Sequence, residues 1–242
     1  MTVFHESDTP PRGPILNAPA SVLWLMGLIV ALHAVRVFGT SEAAHEAIYA
    51  YGFIPERYVE VFGAAAPQGT TLELILPFVS YIFLHADFGH AGVNVLWLLA
   101  FGPLVARRLG TLRFYLFFLF CGVAAATAHL VANWASTAPA VGASGAVAGM
   151  MGAGIRIFYG ARADGVDPNG AAAGRLAPVL SRPVAFFTLV WTAMNIFLGL
   201  TGIGVPSAGP VFVAWEAHLG GYFAGLLFLD IFDPARSMRR TS

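Results

Sequence analysis

Long apolar runs separated by polar connections dominate the chain. Six runs approach the roughly 20 residues that a helix needs to cross about 30 Å of hydrocarbon, and they cover residues 19–38, 76–101, 112–132, 143–161, 184–202 and 212–232. Residues 39–75 mix charged and apolar positions, which is typical of short helices lying in the membrane interface. The pattern predicts an all-α membrane protein whose six transmembrane helices form a single bundle.

The composition agrees with a membrane protein and excludes several other classes. Of the 242 residues, 57% are hydrophobic and 11% are charged, whereas a soluble domain carries about a quarter charged residues. The net charge of zero lacks the basic surplus of a nucleic-acid-binding protein. Lysine is absent, which excludes the phosphate-binding loop of a nucleotide-driven machine.

The distribution of the 13 arginines predicts the orientation. With both termini in the cytoplasm, eleven of them face inward and only Arg36 and Arg57 face outward, as the excess of basic residues in cytoplasmic loops requires. We therefore expect a polar cytoplasmic segment at 1–18, a membrane domain at 19–232 and a basic cytoplasmic tail at 233–242. The second, fourth and sixth spans then begin near the outer face.

Polar side chains lie at the starts of these three spans. His90 and Asn94, four residues apart, share one face of the second helix, Ser144 opens the fourth span, and His218 opens the sixth. Polar groups inside a span are costly unless they are paired, so each is a functional candidate. Asn94, Ser144 and His218 also lie at a similar depth, roughly 18–20 Å from charged residues at the inner ends of their spans, namely Arg107, Arg156 and Asp230.

Small residues predict that the serine and the histidine meet. Glycines and alanine recur every four residues in the fourth and sixth spans, a spacing that lets two helices pack closely, at Gly145, Gly149, Ala217, Gly221 and Gly225. Ser144 follows a helix-poor segment, 135–141, so free backbone N–H groups beside it suit an oxyanion. Taken singly, Ser144 can also be a helix cap, and His90 and Asn94 can be bridges between helices.

Three motifs match a known family. Gly142-Ala-Ser144-Gly145, His85-x4-His90-x3-Asn94 and Ala217-His218-x2-Gly221 resemble the signatures of the rhomboid intramembrane serine proteases, and the resemblance covers roughly residues 70–228. It implies a Ser–His dyad in which Ser144 is the nucleophile and His218 the general base. It also implies an oxyanion hole formed by His90, Asn94 and the Ser144 N–H, with Gly142, Gly145, His85 and Gly221 in supporting positions.

The same resemblance implies an activity and a location. We expect a serine endopeptidase of the bacterial six-span form that cleaves single-span or other transmembrane proteins near the outer face of the inner membrane. Its partners are then protein substrates and membrane lipid, with no nucleic acid, cofactor or metal.

The chain departs from the family pattern at two places. Leu76-Pro77 stands where many members have Trp-Arg in the interfacial loop, which affects how that loop is anchored. Ala148 stands where many members have an aromatic residue that packs on the catalytic histidine. Trp215 or Tyr222 can supply that support instead.

Other functions fit the residues less well. A haem protein needs opposed histidine pairs on two helices, which the spans lack, and a zinc intramembrane protease needs His-Glu-x-x-His, whereas His45-Glu46 is followed by Tyr49. The alternative that stays open is a catalytically inactive rhomboid-like protein that binds helices as a chaperone or adaptor. Labelling by a fluorophosphonate, lost on Ser144→Ala, distinguishes it from a protease.

The fifth span and the loop that follows predict a route for the substrate. The span carries bulky Phe186, Phe187, Trp191 and Phe197 and few small residues, so we expect it to pack loosely. The glycine- and proline-rich segment 201–210 suits a lid. The alternative is a plain connector beside a lipid-facing helix.

Overall fold

Six helices of 18 to 22 residues dominate the part of the chain that the computed structural model describes, residues 18–59, 70–168, 174–202 and 214–235. In chain order they are α1 (Ala20–Phe38), α2 (Phe88–Leu109), α3 (Thr111–Ala132), α4 (Ser144–Ala163), α5 (Arg182–Thr201) and α6 (Trp215–Phe232). Each overlaps one of the six apolar runs, which confirms the all-α class. The expected lid at 201–210 lies almost wholly outside the described residues, as do most of the terminal segments 1–18 and 233–242.

Helix α2 begins at Phe88, so the first part of the apolar run 76–101 lies outside this helix. Its start is set by Asp87, whose carboxylate accepts a hydrogen bond from the N–H of His90 at 2.8 Å and so caps the helix. Leu84 before it is extended, with φ −93° and ψ 143°. The preceding chain forms short turns, namely Thr71–Ile75, Pro77–Ser80 and the 3-10 turn Tyr81–Phe83.

The segment between α1 and α2 contains short helices, as the mixed pattern predicted. A helix at Ser41–Tyr51 and a 3-10 turn at Pro55–Tyr58 precede residues 60–69, which lie outside the described part. At Thr70 the hydroxyl oxygen accepts from the N–H of Glu73, whose carboxylate accepts in return from the N–H of Thr70, so a capping box starts the next helix.

Helix α4 lies at the centre of the bundle, where it packs against α2, α3 and α6. Fifteen of its 20 residues are buried. By length and hydropathy, α1, α2, α3 and α5 could each cross a membrane, whereas α4 and α6 fall outside those limits. Glycines lower the hydropathy of α4, and such small residues are typical of close helix contacts within a membrane.

Glycines bring α4 and α6 into backbone contact, as the spacing predicted. A Cβ atom added at Gly221 would collide with the carbonyl oxygen of Gly145, and one added at Gly225 would collide with that of Gly149. No larger residue fits at these positions without separating the two helices.

Two ion pairs lie near the C-terminal end of α6. Arg108 donates to both carboxylate oxygens of Asp233, at 3.0 and 2.7 Å, and both side chains are 2% exposed. Arg156 donates to Asp230 at 2.6 Å. These bonds tie the end of α2 and the second half of α4 to the end of α6, so the helices keep a fixed register.

Candidate active site

Ser144 and His218 lie within hydrogen-bonding distance of each other. The Nε2 atom of His218 is 2.8 Å from the Oγ atom of Ser144. Ser144 is the first residue of α4, and His218 lies in the first turn of α6. Both residues are partly exposed, so a reactant can reach them. A serine hydroxyl bound to an imidazole in this way is the arrangement in which histidine activates a nucleophile.

The register of α4 and α6 holds this pair in place. Ser144 lies 12 residues before Arg156, and His218 lies 12 residues before Asp230. Ser144 contacts His218 at 2.8 Å, and 12 residues further along both helices Arg156 contacts Asp230 at 2.6 Å. The two helices therefore run parallel without slippage over about 18 Å, since each residue rises 1.5 Å.

The loop before Ser144 is held by His85 and by the 3-10 turn at Tyr81. The N–H of Ala143 donates to Nε2 of His85 at 3.3 Å, and the N–H of Gly142 donates to the carbonyl of Tyr81 at 2.9 Å. Gly142 adopts φ +125°, a conformation that favours glycine. His85 therefore supports the loop from a buried position.

His90 and Asn94 lie against the same loop. A Cβ atom added at Gly142 would be 2.7 Å from Nε2 of His90 and 3.8 Å from Nδ2 of Asn94. The Asn94 amide donates to the carbonyl of His90 at 3.0 Å, and its nitrogen carries a second N–H. The structure thus gathers His85, His90 and Asn94 around the residues that precede Ser144.

The interfacial segment is anchored to this loop although Leu76-Pro77 replaces the usual Trp-Arg. Phe53 and Ala140 exchange two backbone hydrogen bonds, at 3.0 and 2.8 Å, in an isolated β-bridge. The hydroxyl of Tyr58 donates to the carbonyl of Leu74 at 2.9 Å. Burial raises the pKa of Tyr58 to about 12, so this phenol stays a donor near neutral pH. Backbone pairing and one buried tyrosine therefore provide the anchoring.

Asn195 of α5 is a site residue that the sequence reasoning missed. Its Oδ1 atom is 3.0 Å from Nδ1 of His218, and its Nδ2 atom donates to the carbonyl of Trp215 at 3.1 Å. The signal was available, because an amide inside an apolar span is a functional candidate by the rule applied to Asn94. Asn195 belongs to none of the three motifs, so the motifs alone do not point to it.

The two aromatic residues expected to support His218 have other contacts. The ring of Tyr222 stacks on Trp191, with centroids 4.2 Å apart, and its hydroxyl lies 2.8 Å from that of Thr188. Trp215 contributes its backbone carbonyl to Asn195, while its ring lies against Gly199 of α5.

The other histidines within helices lie outside this constellation. His33 is buried and packs edge-on against Phe88, with centroids 4.6 Å apart. The Nδ1 atom of His129 is 3.1 Å from the amide of Asn133 and 3.9 Å from the carboxylate of Glu216. Within the ranges that the structure covers, no three His, Cys, Asp or Glu side chains are grouped as metal ligands.

Comparison with known proteins agrees with the motifs and the fold. Residues 73–233 match the family model described as Rhomboid domain. The chain is also similar to a protein of Arabidopsis thaliana named Rhomboid-like protein 11, chloroplastic, with 35% identity over 164 residues. That match covers 61% of this chain and 49% of the relative, so the chain spans about half the length of that protein. The chain belongs to the rhomboid family, and with its apolar helices it is an integral membrane protein.

Proposed function

We propose that this rhomboid protein is an intramembrane serine endopeptidase that cleaves transmembrane proteins near the outer face of the membrane. The observation that carries the proposal is the 2.8 Å contact between Ser144 Oγ and His218 Nε2. It joins a nucleophile to a base at the start of two helices whose glycines let their backbones touch. Family membership agrees with such an activity and does not distinguish a protease from an inactive rhomboid-like protein.

The proposed reaction is acyl transfer in two steps. The Oγ atom of Ser144 attacks the scissile carbonyl carbon while Nε2 of His218 takes the hydroxyl proton. The tetrahedral intermediate collapses, the C–N bond breaks, and His218 gives the proton to the leaving amine. Water, activated by His218, then hydrolyses the ester and restores Ser144.

The proposed oxyanion donors are the Ser144 N–H, the Asn94 amide and the His90 imidazole. His90 and Asn94 lie beside Gly142, two residues before the nucleophile, and the second N–H of Asn94 is available to a substrate oxygen. Donors aimed at the developing negative charge stabilise it strongly in a site that excludes water.

The proposal also specifies a substrate and a membrane location. The substrate is a single-span or other transmembrane protein whose helix unwinds locally, because a carbonyl in a helix is inaccessible to the nucleophile. The reaction needs no cofactor or metal. We propose a six-span protein of a bacterial inner membrane on the basis of the motif resemblance. We propose that both termini lie in the cytoplasm on the basis of the arginine distribution. Reporter fusions at the two termini and at Arg57 test that orientation.

Labelling with a fluorophosphonate in detergent tests the activity. We expect the wild type to be labelled, and Ser144→Ala and His218→Ala to be unlabelled although folded. Ser181→Ala is the matched control, because that serine precedes α5 at the opposite end of the bundle from the site. Labelling that persists in Ser144→Ala would contradict the dyad.

Cleavage of membrane substrates requires a second assay. Co-expression with a panel of tagged single-span proteins, comparing wild type with Ser144→Ala, identifies serine-dependent products. A wild type that is neither labelled nor cleaves any of them would favour the alternative, an inactive rhomboid-like protein that binds helices.

A further inference from the structure

We propose that Asn195 is a positioning residue that sets the tautomer and orientation of His218, an inference that rests on the proposed protease function. Its Oδ1 atom lies 3.0 Å from His218 Nδ1, on the side of the ring opposite Ser144. The three side chains form a continuous chain of hydrogen bonds from α5 through α6 to α4. Serine, histidine and asparagine then occupy the three places of a catalytic triad.

The carbonyl of Trp215 determines which way the Asn195 amide points. The NH2 group donates to this carbonyl at 3.1 Å. With the amide reversed, the Asn195 oxygen would face the Trp215 carbonyl oxygen at that distance. The Asn195 NH2 group would then face Nδ1 of His218, which is also a donor when it carries a proton. The Oδ1 atom is therefore directed at Nδ1 of His218, and an amide oxygen can only accept a hydrogen bond.

The proton of a neutral His218 must consequently reside on Nδ1. Nε2 is then unprotonated and faces the Ser144 hydroxyl at 2.8 Å as an acceptor. This is the tautomer that a general base needs, because the opposite one would present an N–H to the nucleophile. Asn195 thus acts through His218 and need not touch the substrate.

Asn195 of α5 supports the His218 ring, a role that the side chain at Ala148 of α4 does not fill. Ala148 has no ring to hold the imidazole, and the ring of Tyr222 stacks on Trp191. An amide hydrogen bond fixes the ring at one edge, where stacking would fix it by its face.

The tautomer of His218 depends on α5 remaining in place. In α5, which the structure describes in full, Val184 is the only buried residue. Side chains of α5 that hydrogen-bond to α6 include Asn195, with His218 and Trp215, and Thr188, with Tyr222 at 2.8 Å. Outward movement of α5 would break the Asn195 bond and leave the imidazole free to rotate or change tautomer.

The test compares Asn195→Ala with Thr188→Val and Asn195→Asp in the full chain in detergent. Thr188→Val removes an α5–α6 hydrogen bond that does not involve Asn195, so it controls for loosening of the helix. Asn195→Asp retains an acceptor oxygen for Nδ1 of His218, and in its protonated form it also keeps a donor for the carbonyl of Trp215, so it should rescue the function. If Asn195→Ala does not fold, Asn195→Leu removes the same acceptor at similar volume.

Two measurements are made on each variant. The first is the rate constant of fluorophosphonate labelling. We expect it to fall at least about 10-fold in Asn195→Ala and by less than about 3-fold in Thr188→Val and Asn195→Asp. The upper reference is the roughly 10⁴-fold loss of rate when the third residue of a triad imposes the wrong histidine tautomer. The second is the 15N spectrum of protein labelled in its histidines, with the His218 signals identified by their loss in His218→Ala. Nδ1 should be protonated in the wild type and should lose that single state in Asn195→Ala.

The two readouts separate this inference from the proposed function. A wild type that is not labelled contradicts the protease, while the spectra still decide whether Asn195 orients His218. A labelled wild type whose rate and spectrum are unchanged by Asn195→Ala overturns the inference. An equal loss of labelling in Thr188→Val and Asn195→Ala, with the His218 tautomer unchanged in both, also overturns it, because it shows a structural role alone.

Discussion

Gly221→Ala adds one methyl group where α4 and α6 touch, and it should disable the site without altering any residue of the dyad. The new Cβ would collide with the carbonyl oxygen of Gly145 and lie 2.7 Å from its carbonyl carbon and 3.2 Å from its Cα. These atoms are backbone in the first turn of a buried helix, so they cannot turn aside as a flexible side chain would. The helices must therefore separate.

The size of the separation follows from ordinary contact distances. Carbon atoms pack at about 3.5–4.0 Å, so the backbones must part by roughly 1 Å at this level. Gly145 follows Ser144 directly, and Gly221 lies three residues after His218. The 2.8 Å contact between Ser144 and His218 would then lengthen to about 3.8 Å, beyond a hydrogen bond. Misplacement by 1 Å can cost about 10²-fold in rate, and overpacking costs about 1–3 kcal/mol of stability.

The assay is fluorophosphonate labelling together with thermal unfolding in detergent. Gly225→Ala makes the same collision with Gly149 one turn further from the site, so its stability should fall similarly while its labelling falls less. Gly27→Ala is the matched control, because nothing lies within 4 Å of the added Cβ and alanine favours a helix by about 0.5–1 kcal/mol. A Gly221→Ala protein that labels at the wild-type rate would refute the reasoning.

Three further predictions concern other parts of the molecule. Asn94→Ala should lower the labelling rate by about 10–1000-fold, since losing one oxyanion donor costs on the order of 3 kcal/mol; an unchanged rate would show that Asn94 only bridges backbone. Asp233→Asn leaves Arg108 buried without its charged partner and should cost about 3–5 kcal/mol in unfolding, whereas Asp164→Asn, at a more exposed ion pair, should cost less than about 1 kcal/mol. With Cys121 replaced by alanine, a disulfide joining the outer ends of α2 and α5 should block cleavage of membrane substrates, and normal cleavage would contradict lateral entry.

The long helices were predictable because the membrane imposes a direct requirement on apolar length. Each of the six runs overlaps one long helix, and the starts of α4 and α6 lie within three residues of the prediction. The start of α2 could not be read from hydropathy, since the turns at 71–83 are as apolar as the helix that follows. A local signal existed in Asp87, a helix-capping residue at the true boundary.

The meeting of Ser144 and His218 was predictable for a different reason. Glycines at regular spacing on two helices predict that the helices approach closely, so the side chains next to those glycines come within reach of each other. The same reasoning could not find Asn195, because α5 carries no such glycine pattern facing its neighbours. An isolated polar residue shows that a partner is needed without showing which one.

The position of Asn195 gives α5 two requirements that compete. A helix with one buried residue is suited to moving aside for a substrate, yet His218 needs the amide that this helix carries. Both are met if α5 opens before the chemical step and closes again around the substrate for proton transfer. A disulfide that holds α5 against α2 would then separate the two requirements: transmembrane substrates would be excluded, while a small fluorophosphonate, which needs no lateral opening, would still react at the wild-type rate. Loss of both activities in the cross-linked protein would instead mean that the closed position of α5 is not the one in which His218 works as a base.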